Sequence, residues 1–230
     1  MKNNITTIAF DADDTLWVNE TFFRDAEDEF AKLLSNYETE NKIHQELYKK
    51  EIENLKLYGY GIKGFVLSML DCALEISNYQ VHPKVIEKIL AIGKRMLNEP
   101  IELLDGVEDV LKSLSGKYKL IVATKGDLLD QEKKLEKSGL LKYFHHVEVM
   151  SDKQPKDYLR LVKHLDIVPS QLLMIGNSLK SDVLPLLEIG ANAIHIPFHT
   201  TWEHEKVSKE EVLGVNYKTL THIKQVLDIL

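Results

Sequence analysis

The chain has 230 residues, 44% of them apolar, enough for one large domain or a core with a modest insertion, and too many for a disordered or fibrous protein. Its net charge of -7, with Lys and Arg scattered rather than gathered into a stripe, argues against nucleic acid and an anionic membrane as partners. The lone cysteine, Cys72, allows no intrachain disulfide, and no apolar run has the length of a signal peptide or membrane span, so the expected setting is the cytoplasm.

Residues 5–10 are mostly apolar and predict a short buried strand, which runs straight into Asp11, Asp13 and Asp14. Carboxylates this close repel one another, and at the end of a hydrophobic strand they need a cation or hydrogen bonds. Two readings follow: a hard divalent metal serving phosphoryl chemistry, or an acidic surface turn. From Glu20 to about Leu97 apolar residues recur at helical spacing with no strand-like run, among them Phe22, Phe23, Ala26, Phe30, Leu33 and Leu34. Further helices are expected over 64–76 and over 83–97, the second opening on Pro83, whose missing N–H costs nothing in a first turn. The helices read as a separate subdomain, residues 18–99, inserted after the first strand into a core of residues 1–17 and 100–230.

Beyond residue 100 the pattern alternates. Strands are predicted over 118–123, 147–150, 172–175 and 193–196. Helices are predicted over 106–114 with Asp105 as the cap, over 127–137 with a stop at Gly139, over 155–164, over 181–189 with a bend at Pro185, and over 215–230. Such alternation predicts an α/β fold, a Rossmann-like parallel sheet with helices on both faces, plus the all-helical insertion.

In an open parallel sheet, ligands bind beyond the carboxyl ends of the strands. The first predicted strand is followed by Asp11, Asp13 and Thr15, the second by Thr124, Lys125 and Gly126. The third is followed by Ser151, Asp152 and Lys153, the fourth by Gly176, Asn177, Ser178 and Asp182. Acids, a hydroxyl, a lysine and an amide at four strand ends are the components of a phosphate–metal site.

These residues also resemble a known set. Asp11-x-Asp13-x-Thr15, Thr124 after a hydrophobic strand, a downstream lysine, and Gly176-Asn177-Ser178-x-x-x-Asp182 are similar to the four motifs of the haloacid dehalogenase-like (HAD) hydrolase superfamily, over residues 5–197. The helical insertion stands where that superfamily places its α-helical cap. The resemblance implies a Mg2+-dependent phosphatase working on a small phosphorylated metabolite, with the cap shutting over the site. It implies Asp11 as nucleophile, forming an aspartyl-phosphate, and Asp13 as the acid and base. Thr124 and Lys125 would bind the phosphoryl group, and a lysine would offset the charge on Asp11 and the phosphate. The metal would be held by Asp11, the Asp13 main-chain carbonyl, Asn177 and Asp182.

Two lysines, Lys153 and Lys156, compete for the one place. Members of the superfamily often follow the lysine with a proline and then an aromatic, which Pro155 and Tyr158 supply behind Lys153. Asn177 departs from the usual pattern, which has an aspartate there, and removes one charge from the metal site. Dehalogenases of the superfamily also tend to carry asparagine there, but they lack an acid matching Asp13, because a halide leaves without a proton. The alternatives are therefore dehalogenation, phosphomutase transfer, or a phosphate-sensing module without turnover.

Other signals read as structural. Gly59-x-Gly61-x-x-Gly64 fits a dinucleotide pattern but follows a charged helical stretch rather than a strand, and reads as a helix–helix turn. His145 and His146 read as a loop or core pair rather than as metal ligands. His199, Glu203, His204 and Glu205 could hold zinc, but their spacing matches no helical histidine pair, and together with Trp202 they read as a wall of the site mouth, with Trp202 and His199 supporting it. Cys72 reads as core, Trp17 as packing beside the first motif, and Asp14 as a helix-start or surface residue.

Overall fold

The computed structural model describes residues 4–230. These residues fall into two compact units: residues 4–20, 101–125 and 131–230, and residues 21–100 and 126–130.

The first unit holds a six-stranded sheet, β1 Thr7–Phe10, β2 Lys119–Lys125, β3 His146–Met150, β4 Leu172–Gly176, β5 Asn192–His195 and β6 Lys218–Thr219. All neighbours are parallel, in the order β3-β2-β1-β4-β5-β6. Register explains the layering. Ile8 and Phe10 of β1 join Val110, Leu111, Leu114, Leu120 and Val122 on one face, while Ala9 joins Ile121, Tyr158, Leu161, Met174 and Leu186 on the other. Central strands are therefore apolar on both sides and read as continuous hydrophobic runs, as β4 does with Leu172, Leu173, Met174 and Ile175 all buried.

Taken in chain order, the helices are α1 Glu20–Leu34, α2 Glu40–Tyr58, α3 Ile62–Ile76, α4 Pro83–Met96, α5 Val107–Leu114, α6 Leu128–Ser138, α7 Pro155–His164 and α8 Leu184–Glu188. The second unit contains α2, α3, α4 and most of α1, around a core of its own that includes Phe30, Leu34, Ile43, Leu47, Met69 and Ile89. Cys72 lies in that core. The Gly59-x-Gly61-x-x-Gly64 stretch is the α2–α3 turn: Gly59 and Gly61 have φ of 71° and 108°, and a Cβ on Gly64 would sit 2.8 Å from the Gly59 carbonyl oxygen.

Three expectations are corrected. Residues 215–230 do not form one helix. They add the short β6 to the edge of β5, then wind as a 3-10 turn over Ile223–Asp228. Ile223 and Val226 are the buried residues of that turn, and their spacing of three suits 3-10 geometry. The helix expected over 181–189 is a π-turn, Leu179–Val183, leading into α8 with Pro185 in its first turn. The cap of α5 is Gly106, left-handed at φ 78°, while Asp105 instead pairs with His222 and Lys224. Among the described residues no helix is long and apolar enough to cross a membrane.

Candidate active site

The carboxyl ends of β1, β2 and β4, with the loop after β3, bring the acids and the lysine together. Asp11 continues β1, its N–H donating to the Ile175 carbonyl of β4 at 2.9 Å. Lys153, in the β3–α7 loop, is buried, and Lys156 is exposed on α7. The Lys153 Nζ donates to Asp11 Oδ1 at 2.6 Å and to Asp182 Oδ1 at 2.7 Å. Burial pushes the Lys153 ammonium down, but the two carboxylates outweigh it and hold it well above the ordinary lysine value. Burial raises Asp11 to about 7, opposed by Lys153 and reinforced by Asp182.

Asp182 is positioned by a bare backbone. A Cβ on Gly176 would stand 2.2 Å from Asp182 Oδ2 and 2.5 Å from its Cβ. Glycine at the end of β4 thus permits the close approach. The Ser178 N–H donates to Asp182 Oδ2 at 3.0 Å, and the Tyr158 hydroxyl donates to the Ser181 carbonyl at 2.9 Å, fixing the turn from both sides. His195 at the end of β5 lies 3.0 Å from the Asn177 carbonyl through Nε2. Burial holds this imidazole below its ordinary value, so near neutrality it is uncharged and Nε2–H donates to Asn177.

The Asn177 side-chain oxygen faces Asp11 Oδ2 at 3.2 Å and the Asp13 main-chain oxygen at 3.3 Å. The Thr15 hydroxyl donates to Asp11 Oδ2 at 3.1 Å and lies 3.3 Å from the same Asn177 oxygen. Three oxygens thus surround the Asn177 oxygen, and two arrangements satisfy the four: an amide turned to donate its nitrogen, or a hard cation among them. Two buried carboxylates, Asp11 and Asp182, also face the single ammonium of Lys153. The donor set and its surplus negative charge therefore fit Mg2+. Asp182 meets this group through Lys153.

The Asp13 carboxylate turns to other partners. Oδ1 accepts from Trp17 Nε1 at 2.7 Å and Lys134 Nζ at 3.0 Å, and Oδ2 accepts from Gln131 Nε2 at 2.7 Å. Trp17 is thus more than packing. Lys134 also donates to Asn19 Oδ1 at 2.9 Å, and Gln131 Nε2 to the Lys125 carbonyl at 3.1 Å. Asp14 has φ 62° and is buried rather than superficial, its carboxylate accepting the N–H groups of Asn19 and Glu20 where α1 starts.

Thr124 is buried, its hydroxyl donating to the Lys125 carbonyl at 3.2 Å. The Lys125 side chain donates to Glu205 Oε1 at 2.6 Å and Ser181 Oγ at 2.9 Å. Glu205 Oε2 accepts from Ser178 Oγ and Ser181 Oγ, both at 2.6 Å. From the stretch read as a wall of the mouth, the Glu205 carboxylate bonds to the site turns and the His204 carbonyl accepts from Lys180 Nζ at 2.6 Å, while the rings of Trp202 and His204, and of His199 and Phe198, lie tilted against each other. Burial pushes Glu205 up, but Lys125 and the two serine hydroxyls overcome it and pull the carboxyl down to about 2. No spacing rule marks Glu205, 80 residues from Lys125, and the same holds for Gln131 and Lys134.

In sequence and fold the chain is similar to known proteins. The haloacid dehalogenase-like hydrolase family matches residues 5–190. A haloacid dehalogenase-like family hydrolase from Xanthomonas campestris is 38% identical, covers 91% of this chain and 88% of its own, and superposes with a TM-score of 0.81. The Bacillus subtilis (strain 168) protein YfnB is 32% identical over 98 residues, 39% of this chain and 41% of that protein. A structure of YfnB bound to magnesium shares the fold, with a TM-score of 0.64 at 18% identity over 99% of each chain. So does a 2-haloacid dehalogenase from Pseudomonas syringae pv. Tomato, with a TM-score of 0.63 at 16% identity over 98% of this chain and 97% of that one.

Proposed function

The chain belongs to the haloacid dehalogenase-like hydrolase family, and on that premise we propose that it is a Mg2+-dependent phosphatase that hydrolyses a small phosphorylated metabolite through an aspartyl-phosphate on Asp11. The observation that carries the reading is Asp13. It supplies a main-chain oxygen beside Asp11 and Asn177, and a carboxyl group two residues from the nucleophile that can manage a proton. An alkoxide leaving group needs that proton and a halide does not.

The residues divide the work. Asp11 attacks phosphorus as its ester bond to the leaving oxygen breaks, and Asp13 gives that oxygen a proton. Asp13 then takes a proton from water as the water oxygen attacks the phosphorus of the acyl phosphate, releasing Asp11 and phosphate. Phosphate ester and water have become alcohol and phosphate, and Asp13 ends protonated as it began. The acid step requires the carboxyl group to turn from Lys134 toward the leaving oxygen, whereas the hydrogen bonds from Trp17, Gln131 and Lys134 fix its orientation. Lys153 holds Asp11 in place and offsets phosphate charge from a buried position. Asp11, the Asp13 carbonyl, Asn177 and Asp182 would hold Mg2+, which when bound supplies positive charge that lowers repulsion between phosphate and carboxylate.

Incubation with p-nitrophenyl phosphate tests the reading. Hydrolysis with Mg2+ that disappears with EDTA, and in Asp11→Asn, is the expected result. Metal-independent halide release from a 2-haloacid would replace this reading with dehalogenation, which Asn177 favours. Tight phosphate binding by the wild-type protein without turnover would replace it with a sensor.

A further inference from the structure

We propose a second metal site on the sheet edge, built from His146, Glu148 and His164 and suited to Zn2+ rather than Mg2+. The site rests on side-chain geometry alone and is independent of the phosphatase reading.

His146 and Glu148 are two residues apart on β3, so their side chains leave the same face of the strand. β3 is an edge strand of the sheet, and both side chains are about 30% exposed, at 29% and 31%. α7 returns along the sheet and places its last residue, His164, against them. His146 Nε2 lies 2.7 Å from Glu148 Oε2, His164 Nδ1 lies 3.8 Å from the same oxygen, and the two imidazole rings are 5.0 Å apart between centroids. One ligand atom from each residue falls within 4.8 Å of the others. Ligands about 2.0–2.2 Å from a tetrahedral Zn2+ stand roughly 3.3–3.5 Å from one another, so a cation would draw His164 inward and part His146 from Glu148 slightly.

The donor set decides the ion. Two neutral imidazoles and a carboxylate suit zinc and its late first-row neighbours, whereas Mg2+ takes oxygen ligands. Three protein ligands at an exposed edge leave the fourth position to water. The site also has a structural consequence. His146 opens β3 and His164 closes α7, and the loop between these elements carries Lys153. A cation here would fasten the two ends of the segment that delivers the active-site lysine. Binding to the folded chain in preference to the unfolded one would raise its melting temperature.

The experiment is Zn2+ titration by calorimetry with Mg2+ in excess, which keeps the carboxylate site occupied, alongside Co2+ absorption spectra. We expect one equivalent of Zn2+, a higher Tm with Zn2+, and four-coordinate Co2+ bands. Zn2+ affinity should fall at least tenfold in His146→Ala and in His164→Ala and stay unchanged in Asp11→Asn. His164 is exposed, so His164→Ala is not expected to disturb folding, and its Mg2+-supported activity should equal that of the wild type. Zn2+ uptake indifferent to both histidine variants, or no uptake at micromolar concentration, would overturn the proposal.

Discussion

The Glu205 carboxylate accepts the Lys125 ammonium at 2.6 Å, joining a short 3-10 turn late in the chain to the end of β2. The pair is 14% and 13% exposed, and the same carboxylate holds Ser178 and Ser181 beside the turn that carries Asp182. One late acidic residue thus fixes both the β2 end and the β4 turn.

That arrangement predicts a particular acid limb. A carboxyl drawn from 4.5 to about 2 contributes stability fully present above the unfolded value, and lost as pH falls from about 5 toward 2. The drop corresponds to at most about 3 kcal/mol. Glu205→Gln should therefore be less stable than wild type at pH 7 by up to that amount. The difference between the two should narrow below pH 5. Urea titrations across pH 2–7 measure both.

Lys153 and Lys156 should separate cleanly. Lys153→Met leaves the buried Asp11 and Asp182 without their shared cation, an event that costs about 3–5 kcal/mol when one partner of a buried pair is removed. Activity toward p-nitrophenyl phosphate should fall by about two orders of magnitude or more. Lys156→Met, at an exposed helix position, should stay within about 0.5 kcal/mol of wild type and keep its activity.

Gly176→Ala should act through Asp182. The added methyl group meets the Asp182 carboxyl carbon at 2.3 Å, so either the β4 end or the carboxylate must move. Overpacking of this kind costs about 1–3 kcal/mol. The accompanying sign is a weaker apparent Mg2+ affinity, with half-activation moved to higher Mg2+, read from activity against metal concentration.

Trp17→Phe keeps the ring in its buried place and removes the N–H that Asp13 accepts. The loss of one hydrogen bond to a charged group, about 1.5–3 kcal/mol, should appear mainly in kcat, with KM little changed. Asp13→Asn should lower kcat by about 10²–10⁴. If Trp17→Phe raised KM alone, Trp17 would be shaping the substrate pocket rather than orienting Asp13.

Much of this site was legible in the chain because its principal residues follow strands, and in a parallel sheet every strand points its carboxyl end the same way. The run before Asp11 and the run of residues 172–175 are apolar on both faces of the sheet, so they announce themselves without periodicity. The last part of the chain was not legible in the same way. Residues 215–230 carry enough apolar spacing to suggest a helix, yet pairing with the open edge of β5 and burial of Ile223 and Val226 prevail.

By itself, the sequence determined which strand ends carry the acids, since local periodicity and parallel topology suffice for that, but it left Lys153 and Lys156 in competition until burial of Lys153 against Asp11 and Asp182 separated them. Only the tertiary structure decided how those groups are held. Trp17, Gln131 and Lys134 come to Asp13, Glu205 comes to Lys125, and His164 comes to His146 and Glu148 through contacts between separate elements. Hydrogen bonds and ion pairs act over a few ångströms of space, and distance along the chain gives no measure of them.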